Sequence, residues 1–196
     1  MRSLALAAVA SPPALSIAVA AMLGLGIAGC ASTAEVIVDV RTDFSPGRDF
    51  DAVVVTTAGS RTVAPAAITD WLAGVRIGPT PSPGGSQAIA VELQRGGVLV
   101  VRRTVRVFVS GTVVVPVWLV RACVDVTCPE PGGSPLETEC SDGRCVAPEC
   151  VGAGTECPVA VCAADTDCPS SDIACAQNVC LEGHCVSQTI PGVCAP

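Results

Sequence analysis

The chain of 196 residues has no tyrosine and no lysine, and only three phenylalanines, two tryptophans and one histidine. With aromatic residues at 3 % and a net charge of −7, it lacks both the stacking surface and the positive field that a nucleic-acid partner requires. One histidine excludes a histidine-rich metal centre and the H-E-x-x-H motif. G-x-S-x-G and the phosphate loop are missing as well. The C-x-x-C spacing that marks zinc sites does not occur. No pair of carboxylates stands out for acid–base work. The expectation is a protein that is not an enzyme and that needs no cofactor or metal.

What the chain does have is unevenly distributed. Of thirteen cysteines, one, Cys30, precedes residue 122, and twelve follow it. Charge divides at the same place: nine arginines against seven acids over residues 31–121, and one arginine against eleven acids over residues 122–196. A composition shift this sharp predicts a boundary near residue 122.

Met1-Arg2-Ser3 is a short cationic start, and an apolar stretch from Leu4 to Ala28 follows, interrupted at Ser11-Pro12-Pro13. The uninterrupted part is too short for a comfortable membrane span and ends in small residues, which favours a cleaved export signal over residues 1–29. The last four residues, Ile27-Ala28-Gly29-Cys30, resemble the bacterial lipobox: a branched apolar residue, two small residues, then a cysteine. That resemblance implies a diacylglyceryl group on the sulfur of Cys30, cleavage before it, and acyl chains such as palmitate on the mature start. Residues 30–34 then form a lipidated tether. Ala31, where aspartate would imply retention at the inner membrane, implies the outer membrane, facing either the periplasm or the cell exterior. Two acyl signals hold a protein stably at a bilayer and three make detachment negligible. Removing Cys30 from the count leaves twelve cysteines, an even number that can pair completely.

Residues 35–121 read as β structure. Val36, Val38 and Val40 alternate with Ile37, Asp39 and Arg41, the period of a half-buried strand. Asp51 to Thr57 is a second run, Trp71 to Ile77 a weaker third, and Gly78 to Ser86, rich in proline and glycine, is expected to be a loop or mobile hairpin connection. Ala88–Gln94, Val98–Val109 and Thr112–Val120 are separated by short glycine turns and predict an antiparallel meander. Arg103 falls among the apolar positions of its run, so a bulge there, or a division into two strands, is expected. Pro116 places its strand at an edge or a bulge. Phe108 and Trp118 are expected to pack in the core. The pattern predicts a mainly β fold, an immunoglobulin-like or prealbumin-like β-sandwich followed by a small disulfide-rich segment. Arg102, Arg103 and Arg106 form a basic stripe that either receives an anion or the acidic tail or, the favoured reading, lies on a solvated sheet face.

Residues 122–196 carry Cys123, Cys128, Cys140, Cys145, Cys150, Cys157, Cys162, Cys168, Cys175, Cys180, Cys185 and Cys194. So many cysteines with so few large apolar side chains predict a scaffold held by disulfides, of unknown pairing. Cys140 to Val146 and Cys180 to Val186 share the pattern C-x-x-G-x-C-V, with Asp142-Gly143 and Glu182-Gly183 at the turns, which implies duplicated modules of about 40 residues. Asp165, Asp167 and Asp172 lack the glycine-centred loop of a calcium site and read as a solvated acidic loop. The segment resembles the cysteine-rich extensions of envelope proteins from high-GC Gram-negative bacteria. The expected role is a membrane-anchored envelope protein that binds a protein or glycan or serves structurally. A tethered protease inhibitor, or a metal-binding cysteine-rich protein with His184 as its one imidazole, are the alternatives.

Overall fold

The computed structural model describes residues 34–67, 69–151, 157, 162–171, 173–190 and 192–193. The export signal, Cys30, Asp172 and Cys194 lie outside the described residues. Those residues are mainly β, in several sheets, and belong to one compact unit. Among them no helix is long and apolar enough to cross a membrane.

Seven strands lie between Ala34 and Leu119. β1 (Ala34–Thr42), β2 (Ala52–Thr57), β3 (Ser60–Pro65) and β4 (Val75–Ser82) are followed by β5 (Gly85–Arg95), β6 (Val98–Val109) and β7 (Thr112–Leu119). They form a three-stranded sheet of order β4-β1-β7 and a four-stranded sheet of order β3-β2-β5-β6. β1 runs antiparallel to β4 and parallel to β7. The alternation along β1 turns Val36, Val38 and Val40 inward, where they meet Val53, Val55, Ile89, Val91 and Leu93 from the other sheet in one core. Each fully buried Val, Leu or Ile contributes about 1.5–3 kcal/mol relative to exposure. Chain entropy offsets most of that sum.

Several local expectations change. The run from Gly78 to Ser86 is mostly strand, because β4 continues to Ser82 and β5 starts at Gly85. β4 is an edge strand, where prolines that cannot donate are tolerated. Its ladder slips where Val36 pairs with Thr80 and Val38 with Ile77. Gly78 sits at that slip with φ +115°, and a Cβ there would lie 2.8 Å from the Val36 carbonyl. Of the third run only Val75 to Ile77 is strand. Trp71 instead caps the core, edge-on to Phe50 at 5.3 Å, with its indole N–H donating to Ala67. β3, half-exposed and poor in apolar residues, gives no period in the sequence.

β5 and β6 form the expected hairpin, but the chain then crosses to the other sheet, so Ser110-Gly111 joins two layers rather than two paired strands. β6 passes through Arg103 without interruption. The irregularity lies between Leu93 and Gln94, which pair with Val101 and Leu99. Arg103 is buried on the inward face, and its guanidinium donates to the carbonyls of Trp118 and Cys150. Trp118 is buried, whereas Phe108 is 74 % exposed. Pro116 lies in an edge strand.

The cysteine-rich segment contributes two hairpins, β8 (Glu139–Ser141) with β9 (Arg144–Val146), and β10 (Ala176–Leu181) with β11 (His184–Thr189). Disulfides join Cys123 to Cys140, Cys128 to Cys145, Cys150 to Cys157, Cys162 to Cys180 and Cys168 to Cys185. In each hairpin the two cysteines face each other across the strands, and each bonds to one of two cysteines upstream. The repeat is therefore one of connectivity as well as of sequence. Cys175 is also disulfide-bonded.

The first module covers the open edge of β6. The Thr104 N–H donates to Glu139 at 2.6 Å, and the Arg106 N–H donates to the Pro148 carbonyl at 2.6 Å. Unpaired strand edges invite aggregation, and this segment blunts one.

Candidate functional site

The two modules meet on the sandwich around Trp118. Both hairpins turn in two residues, Asp142-Gly143 and Glu182-Gly183, all with positive φ: 52° and 76°, then 52° and 87°. That is the turn whose twist matches paired strands, and it favours aspartate and glycine. It projects Asp142 toward the second hairpin, where Asp142 Oδ2 lies 2.7 Å from His184 Nδ1. The Ser141 hydroxyl donates to the same oxygen at 3.1 Å. Trp118 stacks on the imidazole, ring centroids 4.5 Å apart and planes at 26°. Arg41 reaches over the other part of the seam, 5.3 Å from the Trp118 ring and 2.6 Å from Glu182. The hydrogen bond to Glu182 raises the Arg41 pKa above its ordinary value, with burial opposing. Burial lowers the pKa of Arg103, and the nearby charges of Asp142 and Glu139 oppose that shift. A carboxylate holding an imidazole is half of a nucleophile-activating array. Among the described residues no hydroxyl or thiol hydrogen-bonds to that imidazole; the contact itself links one module to the other, as a latch does.

Beside the latch lies a cleft of about 340 Å³ between the far end of β1 and the second module. Asp43, Arg48, Asp70 and Trp71 line it on the sandwich side, and Ile173 and Ser187 on the other. Asp43 joins the two walls: it accepts the Arg121 N–H at 2.9 Å and the Ser187 N–H at 3.1 Å. Burial pushes the Asp43 carboxyl pKa up, with those two hydrogen bonds opposing. Arg121 also pairs with Asp49 and lies 4.7 Å over the Phe44 ring. A second recess of about 430 Å³, reaching Leu181 and Glu182, shares Asp70, Leu72 and Gln188 with the first. Together they make a groove lined by the apolar side chains of Phe44, Trp71, Leu72 and Ile173 and by charged groups of both signs, among them Asp43, Asp70, Arg48 and Arg41.

The sequence candidates are placed as follows. The sulfurs of Cys162, Cys168 and Cys185 lie within 4.8 Å of one another, and all three are in disulfides, whereas metal ligation needs thiolates. Asp167 accepts the N–H groups of Ala163 and Ala164, which lower its pKa, and Asp165 accepts that of Cys180. These carboxylates cap turns. The arginine stripe is dispersed: Arg102 lies 3.8 Å from Glu92, Arg103 is buried, and Arg106 pairs with Glu149 at 2.6 Å. Asp43 and the Asp142–His184 pair carried no sequence signal, since their partners lie 42 to 144 residues away. Comparison with known protein families, curated proteins and solved structures finds no match.

Proposed function

We propose that the chain is an exported lipoprotein of the cell envelope, anchored through Cys30 and built to bind an envelope protein or glycan without catalysis. The observation that carries this reading is the second module. It is locked by disulfides, joined to the sandwich through Asp43, and forms one wall of the groove. Disulfides persist in oxidising compartments outside the cytoplasm, in keeping with the lipobox-like start. Preorganised walls lower the ordering cost of binding.

Of the two sandwich types, the prealbumin-like one is favoured. An immunoglobulin sandwich places its first strand beside its second; here the first strand lies between the fourth and the seventh, and the second between the third and the fifth. The outer membrane remains the favoured address because Ala31 follows Cys30.

Intact mass of the protein in native membranes, before and after reduction and alkylation, tests the anchor. The expected result is a chain starting at acylated Cys30 with no thiol available before reduction; a soluble product with an unmodified start sinks the reading. Protease inhibition by the purified protein would instead favour the tethered-inhibitor alternative. Metal retained by thiols in the native protein would favour metal binding.

A further inference from the structure

The seven strands place several chain connections at one end. Ala34 pairs with Ser82, Glu35 with Thr112, Gly85 with Val109 and Ser86 with Phe108. The start of β1, the β4–β5 connection and the β6–β7 connection therefore share that end. It is nearly free of charge: no charged residue occurs in 77–87 or in 107–120. The charges nearest these connections are Glu35, 3.3 Å from the Thr112 hydroxyl, and the Arg106–Glu149 ion pair, which begins two residues before Phe108 on the same outward face of β6. From this end Phe108 projects with 74 % of its surface exposed, on a strand whose inward positions are filled by Val101, Val105 and Val109.

Covalent reach connects this end to a bilayer. Cys30 and Ala34 are four residues apart, and at about 3.5 Å per residue the span is at most ~14 Å. We infer that this charge-poor end of the sandwich rests on the membrane that carries the Cys30 lipid, with Phe108 buried in the headgroup–acyl boundary; this rests on the anchor reading above. Bare serines, glycines and prolines approach headgroups without a charge to desolvate, and a phenylalanine ring gains by leaving water at that depth.

The opposite end also exposes Val98 and Leu99, at 69 % and 53 %. It lies a full strand away, roughly 35 Å along β6 at about 3.4 Å per residue. The tether cannot bring it to the surface while Ala34 stays near the anchor. The groove lined by Asp43 and Asp70 lies at the far end of β1, so seating on Phe108 holds it away from the bilayer.

The test uses the full-length acylated protein in phosphatidylcholine–phosphatidylglycerol vesicles, with or without bromine on the acyl chains. Phe108→Trp and Val98→Trp each add one indole to the two buried native ones. Brominated lipid is expected to quench the indole introduced by Phe108→Trp about two-fold, with a blue-shifted maximum, and to leave that of Val98→Trp unchanged. Mass analysis of the same sample separates the two claims. An unacylated Cys30 overturns the anchor and this inference together. An acylated protein whose Phe108→Trp emission is the same in both vesicles, or no more quenched than that of Val98→Trp, overturns the seating alone.

Discussion

Asp142 in the first hairpin turn and His184 at the start of β11 in the second hairpin are 2.7 Å apart, although 42 residues separate them in sequence. They tie two copies of one disulfide pattern to each other beneath Trp118. The pair sits in a seam where Asp142 Oδ1 is already buried without a partner. His184→Ala removes the stack and leaves Asp142 Oδ2 with the Ser141 hydroxyl alone. The expected loss is about 2 kcal/mol in denaturant unfolding. A variant within 0.5 kcal/mol of the parent, on the same order as a neutral surface change, would mean the latch contributes nothing.

Arg103 is the buried charge of the sandwich, 4 % exposed, with two carbonyls as acceptors and Nε unpartnered. Arg103→Ala opens a cavity and strands both carbonyls, at a cost of about 3–5 kcal/mol. Arg103→Met keeps most of the volume and is expected to cost less than half as much. Thermal melts of the two variants check the order; equal losses would show that the stranded carbonyls, not the lost volume, set the penalty.

Asp49 supplies a pH-dependent term. Burial opposes its ionisation, but the Ser45 N–H, the charge and hydrogen bond of Arg121 and the charge of Arg48 together lower its pKa in the folded state. A lowered folded value means stability that is present above the unfolded value of about 3.9 and is lost as pH falls through the folded one. Asp49→Asn is expected to destabilise by about 1–2 kcal/mol at pH 7 and to match the parent in strong acid. A penalty independent of pH would place the effect in packing.

Replacing both Cys162 and Cys180 by serine removes a crosslink with a sequence separation of 18. It is expected to weaken the second module by about 3 kcal/mol. Val186 packs on Trp118 in a small cluster apart from the main core, whereas Trp71 belongs to the main core. Emission from Trp118 is therefore expected to shift red at lower denaturant than emission from Trp71. Coincident transitions for the two tryptophans would show that the module and the sandwich melt as one unit.

The strand with strong apolar period was legible without coordinates, because alternation along β1 is a local property that any pleated chain expresses, and so was the β5–β6 hairpin, marked by its short glycine turn. The turns at Asp142-Gly143 and Glu182-Gly183 were equally legible, since left-handed backbone selects its residues within two positions. Phe108 and Trp118 read alike as core in the sequence, and the structure separates them: one is exposed near the end of β6, the other is covered by the second module.

Sequence alone determined a β-rich chain ending in a cysteine-rich repeat, since residue type and spacing act over a few positions. Tertiary structure alone decided which cysteines join, which sheet receives β7, and that Arg103, Asp43 and Asp142 become buried and bonded. Those outcomes depend on segments tens of residues apart occupying the same space, where burial makes an unpaired charge or strand edge costly and selects the one arrangement that satisfies it.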